Sequence, residues 1–188
     1  MRLTITAVSV IILAATAAPV KAEVPVDLAV ARASLEGSWE GKLEYLDYGA
    51  DKWFGIPVKT AVEAQGDGAT TIRRSDFDDG PTVGNVRITT VELIDLAQGT
   101  LSVGTFRKGR AAEVSLYVVR LEGVAEDATH WTMLEEAEAK DDNRPAKLRL
   151  TTVRNGDALE TLKQIDFLDD DKNEWITRNR TRLTKVTD

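Results

Sequence analysis

The sequence contains no cysteine and only one histidine, His130. The absence of cysteine excludes disulfide bonds, a thiol nucleophile, thiolate metal sites and the lipid-modified cysteine of bacterial lipoproteins. A single histidine cannot build a set of several imidazole ligands around a metal ion. The Gly-x-Ser-x-Gly motif of serine hydrolases is also missing. We therefore expect no metal site and no cofactor, and no motif supports catalysis.

Basic residues are fewer than acidic ones, 24 against 31, and the formal net charge is −7. Binding to nucleic-acid phosphates requires a basic face, so nucleic acid is not expected as a partner. Glu135, Glu136 and Glu138 belong to the densest acidic run, which we interpret as a solvated surface that could also face a basic partner.

The N-terminus has the pattern of a secretory signal peptide. Arg2 supplies the positive charge, residues 8–18 form the apolar segment, and Val20-Lys21-Ala22 resembles a cleavage site. The apolar segment is too short to span a bilayer, so no membrane insertion is expected. We predict a signal peptide at residues 1–22 and a periplasmic or secreted protein, and the lack of disulfides favours a bacterial periplasm.

The rest of the chain is the length of one domain and reads as mostly β. Residues 23–36 allow a short helical lead-in, and residues 37–188 are predicted to form a β-barrel. From Trp39 to Tyr45, apolar and charged residues alternate as a half-buried strand requires. Turn residues separate ten such runs, at 37–46, 53–64, 69–76, 85–96, 100–107, 111–121, 129–139, 145–154, 158–168 and 173–185. Because closure removes both sheet edges, we predict an antiparallel up-and-down barrel in which the first run pairs with the last.

Gly37-Ser38-Trp39 at the start of the first run resembles the Gly-x-Trp signature of the lipocalins and their calycin relatives. The resemblance implies that an arginine of the last strand, best matched by Arg180, packs over Trp39 at the closed end of the barrel. The longer stretch ending at Gly41 partly resembles the opening of nitrobindin-like haem-binding barrels, although Leu43 stands where those barrels have a third glycine. Haem is disfavoured because His130 is not near the end of the chain, where the proximal histidine of those barrels lies.

The leading functional hypothesis is a lipocalin-like barrel that binds a small apolar or amphipathic ligand in its interior. Leu43 and Tyr45 share the face of Trp39 and are candidate lining residues, with the Tyr45 hydroxyl as a polar contact. Trp53 is predicted at the mouth, and Trp131 and Met133 are predicted to share one inward face.

Val114, Leu116 and Val118 alternate along a neighbouring run and are predicted to belong to the core.

Two alternatives remain open. The barrel could be filled with side chains and serve as a structural or interaction module for another envelope protein. An enzyme working in the barrel mouth would need inward-facing charges that converge. The candidates for such charges are Arg73, Glu92, Arg120 and Lys163.

Overall fold

The computed structural model describes residues 26–187, so the predicted signal peptide lies outside the described residues. Two short helices and ten strands make up this part of the chain. The helices are α1 (Leu28–Ala33) and α2 (Gly80–Val83). The strands are β1 (Gly37–Asp47), β2 (Lys52–Ala64), β3 (Thr70–Asp78), β4 (Asn85–Asp95), β5 (Thr100–Arg107), β6 (Glu113–Asp127), β7 (His130–Asp141), β8 (Arg144–Asn155), β9 (Ala158–Phe167) and β10 (Ile176–Lys185).

The strands form one closed antiparallel barrel in which every strand pairs with its neighbours in the chain. The ring closes between β1 and β10, where Trp39 lies opposite Lys185 and Glu44 lies opposite Arg180. This pairing confirms the predicted fold class and leaves no unpaired sheet edge. At the seam Gly41 lies against the β10 backbone, and a Cβ atom there would meet the carbonyl oxygen of Arg182 at 1.9 Å.

The hairpins form where turn residues were predicted, because aspartate side chains satisfy backbone N–H groups that the ladders leave free. Asp67 accepts hydrogen bonds from the backbone nitrogens of Ala69 and Thr70 at 2.9 and 2.7 Å. Strand β6 continues to Asp127, beyond the predicted run, and helix α2 was not predicted.

One end of the barrel is covered by helix α1. The Asp27 side chain caps the helix by accepting a hydrogen bond from the backbone nitrogen of Val30 at 2.9 Å. Below the helix, the Trp39 indole nitrogen donates to the carbonyl oxygen of Leu35 at 2.8 Å. The core at this end is made of Ala31, Leu35, Trp39, Val58, Val62, Ile94, Leu101, Val119, Trp131, Met133, Leu159 and Leu183.

The prediction that Val114, Leu116 and Val118 belong to the core is wrong. Tyr117 lies opposite the buried Leu101 and so faces inward, and the alternation of a strand places its neighbours on the outer face. The three residues are 81%, 62% and 57% exposed. Strand β6 carries apolar residues on both faces, so its pattern does not identify the inner one.

Candidate ligand-binding site

A cluster of charged side chains lies inside the barrel, directly below helix α1. Arg32 extends from the helix into the interior and is only 4% exposed. Its guanidinium pairs with Glu92 of β4 and lies 3.4 Å from Glu135 of β7, measured from Nη1 to Oε1. Arg73 of β3 reaches the same Glu92 carboxylate, with 3.3 Å between Nε and Oε1. Two guanidinium groups and two carboxylates therefore meet in a largely apolar interior.

The cluster leaves hydrogen-bonding capacity unused. The Nε atoms of Arg32 and Arg73 are buried and have no hydrogen-bond partner among the described residues. The 3.3 Å contact of Arg73 with Glu92 is thus an ion pair without an aligned hydrogen bond. Glu92 is better satisfied, because it also accepts a hydrogen bond from the Thr90 hydroxyl at 3.0 Å. Buried donors without partners are rare in proteins, so these two arginines are the site's most unusual feature.

The pKa values of the two carboxylates are shifted in opposite directions. Burial works against ionisation of Glu92, but Arg73, Arg32 and the Thr90 hydroxyl together bring its pKa below the ordinary value. Burial raises the pKa of Glu135, and the nearby Glu92 raises it further, while Arg32 and Arg73 offset only part of this. The pKa of Tyr117 is also raised, first by burial and then by Glu135. The interior therefore makes Glu92 easier to ionise than an ordinary glutamate and Glu135 harder to ionise.

Two cavities flank the cluster inside the barrel. The larger cavity has a volume of about 270 Å³, and all four charged residues of the cluster line it. Its other walls include Leu101, Val103, Tyr117, Trp131, Met133, Leu150 and Thr152. The smaller, of about 170 Å³, is lined by Val58, Thr60, Ser75, Phe77, Leu159, Thr181 and Leu183. Arg73 and Thr161 line both cavities, so these two residues lie where the cavities meet. The interior is thus not filled by side chains.

Four of the predicted lining residues are on the inner face. Trp131 and Met133 line the larger cavity, and the Trp131 indole nitrogen donates to the carbonyl oxygen of Ala128 at 3.0 Å. Leu43 and Tyr45 have the same parity on β1 as the buried Trp39, but neither residue lines the two cavities. The Tyr45 ring stacks on Phe54 of β2, with 5.6 Å between the ring centroids.

Trp53 and Arg180 lie outside the barrel, so the predicted stack of Arg180 on Trp39 is not formed. Arg180 pairs with Glu44 at 2.7 Å, and its guanidinium lies 3.8 Å from the centroid of the Trp53 ring. Glu44 has the opposite parity to Trp39 on β1, which places it and its partner Arg180 on the outer face. Arg154 of β8 occupies the place expected for Arg180, 5.3 Å from the Trp39 ring centroid.

Arg154 also ties helix α1 to the barrel. Its guanidinium donates to the carbonyl oxygens of Ser34, just after the helix, and of Gly156, the latter at 3.1 Å. Burial lowers the pKa of Arg154, although Asp157 and Asp127 favour its charged form. The Arg154 guanidinium therefore contacts the end of helix α1, the β8–β9 turn and the Trp39 ring.

Of the four charges considered for catalysis, two converge. Arg73 and Glu92 meet in the cluster, whereas Arg120 pairs on the outer face with Glu136 at 3.0 Å. Lys163 pairs with Asp141, with 3.5 Å between the charged atoms.

His130 is partly exposed and lies 2.9 Å from the Asp127 carboxylate at a turn. Within residues 26–187, no three histidine, cysteine, aspartate or glutamate side chains are placed to hold a metal ion.

Two members of the cluster were missed at the sequence level. Arg32 belongs to the helical lead-in, where nothing in the sequence shows that the helix covers the barrel. Glu135 was interpreted as part of a solvated acidic run. A signal was available, because Glu135 has the same parity on β7 as Trp131 and Met133, which were predicted to face inward.

Comparisons with known proteins support the fold. No protein-family model matches the chain, and no curated protein matches it. A solved structure, described as the crystal structure of Rv2717c from M. tuberculosis, is similar, with a TM-score of 0.58 at 12% sequence identity. The match covers 85% of this chain and 98% of that one. At this identity the similarity extends to the barrel architecture alone.

No helix in the described part of the chain is long and apolar enough to cross a membrane.

Proposed function

We propose that the barrel binds a small amphipathic molecule in its interior, with an anionic group of the ligand at Arg73. The observation that carries this proposal is the position of Arg73, which lines both cavities. Within the described residues, Glu92 is the one acidic side chain within 4.0 Å of it. The terminal nitrogens of Arg73 are thus available to a ligand.

The charge balance of the cluster supports an anion over a neutral or cationic head group. Arg32 and Arg73 are two positive charges that share the Glu92 carboxylate, while burial raises the pKa of Glu135 and so weakens it as a counter-charge. An arginine in a low-dielectric interior is stabilised strongly by a second charge-assisted partner. A ligand carboxylate at Arg73 would supply that partner and use the planar guanidinium in a bidentate manner.

The walls of the cavities suit an apolar body on the ligand. The larger cavity offers Leu101, Trp131 and Met133, and the smaller one offers Phe77 and Leu159. Ligand pockets commonly have volumes of roughly 300–1,000 Å³, and only the two cavities taken together reach that range. The ligand would be small and would extend past Arg73 from one cavity to the other.

The proposal also includes the class of the protein and the compartment in which it acts. The Gly37-Ser38-Trp39 opening and the closed ten-strand barrel support a calycin-like protein. The signal-like residues 1–22 support a protein that acts in the periplasm or outside the cell.

Binding of decanoate and of decanol, measured by isothermal titration calorimetry, tests the proposal. The two probes share an apolar chain and differ in the charge of the head group. We expect decanoate to bind more tightly, and we expect Arg73→Met to weaken decanoate binding by roughly 10- to 100-fold, as for the loss of a hydrogen bond to a charged group. Arg74→Met is the matched control, because Arg74 is the next residue on β3 but pairs outside the barrel with Glu63.

Equal affinities for decanoate and decanol would contradict the anionic head group while keeping the interior site. Absence of binding for both probes, or decanoate binding that Arg73→Met leaves unchanged, would contradict the site itself.

A further inference from the structure

The outer face of strands β4, β5 and β6 is apolar and carries no charge over its central part. The outward positions are Thr89, Val91 and Leu93 on β4, Ser102, Gly104 and Phe106 on β5, and Val114, Leu116 and Val118 on β6. We call these nine residues the β4–β6 face. All three of its β6 residues are more than half exposed. Assuming typical side-chain areas, the exposed apolar surface is on the order of 500 Å², which is large for a patch with no partner.

The β4–β6 face has the shape of a trough between two ridges. Pairing across the strands places Gly104 between Val91 and Val114, and Ser102 between Leu93 and Leu116. The small residues of β5 therefore form a floor, and the branched residues of β4 and β6 form the walls. Phe106 covers one end of the floor, since a Cβ atom on Gly104 would lie 3.3 Å from its ring.

The arginines around the face are already paired with carboxylates of the same chain. On one side Arg120 pairs with Glu136 at 3.0 Å, and Arg149 pairs with the same Glu136 at 2.7 Å. On the other side Arg74 pairs with Glu63. Asp95, beyond Leu93 on β4, has no ion-pair partner among the described residues and accepts hydrogen bonds from the backbone nitrogens of Ala97 and Gln98 in its own turn. The arginines at the rim are thus neutralised within the chain, so the rim offers little to attract a strongly charged partner.

We propose that the β4–β6 face binds the same face of a second copy of this chain across a two-fold axis. A two-fold interface brings identical surfaces together, so the face must contain both a ridge and a complementary groove. It does, because the ridge of Val114, Leu116 and Val118 lies beside the part of the trough over Ser102, which the Phe106 ring next to Gly104 closes at one end. Covering both faces removes about 1,000 Å² in total from solvent, near the lower limit of specific interfaces, which makes the dimer weak, with a Kd on the order of micromolar.

Sedimentation equilibrium of the purified protein over a wide concentration range tests this interface. We expect a monomer–dimer equilibrium for the wild type. Leu116→Glu places a charge at the centre of the face and should shift the protein to monomer, raising the Kd by 100-fold or more. Val124→Glu is the matched control, since Val124 is an exposed valine of the same strand outside the face. Circular dichroism checks that both variants keep the barrel.

A wild-type protein that remains monomeric at millimolar concentration would overturn the proposal. It would also be overturned by dimers that survive Leu116→Glu, or by equal loss of dimer in both variants. A monomer whose β4–β6 face is covered by residues 1–25, detected as protection of the face that is lost when that segment is removed, would assign the face to another occupant. The result is independent of ligand binding, because Leu116 faces away from both cavities.

Discussion

Arg32 of helix α1 and Glu92 of β4 form a buried ion pair, although 60 positions separate them in the chain. The pair fixes the helix over one end of the barrel through charge as well as through apolar packing. An ion pair of this kind costs desolvation energy, and removal of one partner leaves the other charge buried and uncompensated. The stability of the barrel should therefore depend strongly on this contact.

We predict that Glu92→Gln lowers the free energy of unfolding at neutral pH by about 3–5 kcal/mol, as for other broken buried pairs. The pKa of Glu92 is lowered in the folded protein, so its stabilisation is present above the ordinary value of 4.5 and is lost as the pH falls further. The difference between wild type and variant should thus shrink on acidification. Urea unfolding at several pH values measures it.

Glu40→Gln is the control for this measurement, because Glu40 pairs with Lys59 on the exposed outer face. Its effect should stay below about 1 kcal/mol. Equal effects of the two substitutions would show that the buried pair contributes no more than a surface one.

Glu135 should have the opposite pH dependence. Its pKa is raised in the folded protein, so the folded state holds a proton that the unfolded chain loses above the ordinary value of 4.5. Stability contributed at Glu135 therefore falls as the pH rises through the interval between the two pKa values. We predict that the stability of Glu135→Gln relative to wild type increases across that interval and then levels off.

The free energy of unfolding of both proteins, measured from pH 4 to pH 8, tests this trend. Glu138→Gln is the control, because it removes one negative charge from an exposed position of the same strand. A relative stability of Glu135→Gln that is flat or falling with pH would exclude the raised pKa.

The strands could be predicted from sequence because their signals are local. Alternation over a few residues defines a strand, and aspartate, asparagine and glycine mark the hairpins. Closure followed from the need to remove two edges. Which face of each strand points into the barrel could not be predicted as reliably, because a shift of one residue exchanges the inner and outer faces. Val114, Leu116 and Val118 were assigned to the core for this reason, although they lie on the outer face.

The charged cluster could be predicted only in part. Arg73 and Glu92 were two of the four charges named as candidates to converge inside the barrel, and they do converge. Arg32 reaches them from a helix whose position depends on tertiary packing and not on any local pattern. Glu135 lies in an acidic run, and the composition of that run suggested a solvent-exposed surface. Its side chain points into the barrel because Glu135 is two residues from the inward-facing Met133 on β7.

The β1–β10 seam depends on a glycine. A Cβ atom at Gly41 would lie 1.9 Å from the backbone oxygen of Arg182, and that oxygen cannot move without shifting β10. We predict that Gly41→Ala destabilises the barrel by about 1–3 kcal/mol or more, as overpacked sites do. Gly49→Ala is the control, because its Cβ would meet only the exposed Asp47 side chain, at 3.3 Å. Thermal unfolding of both variants distinguishes them, and an unchanged Gly41→Ala melting temperature would show that the seam can widen.

Helix α1 should be released by loss of Arg154. The guanidinium donates to the carbonyl oxygen of Ser34 at the end of the helix and lies over Trp39, so Arg154→Leu removes a charged hydrogen bond and leaves that oxygen without its donor. Loss of such a bond corresponds to a roughly 10- to 100-fold change in a local opening equilibrium. We predict an increase of this size in hydrogen exchange at the amides of Ala31 and Ser34, which bond within α1. Arg120→Leu, on the outer face, should leave both amides unchanged. If Arg154→Leu leaves their exchange rates at the wild-type level, the other contacts of this segment, among them the Arg32 ion pair and the hydrogen bond from Trp39 to Leu35, hold the helix on the barrel without Arg154.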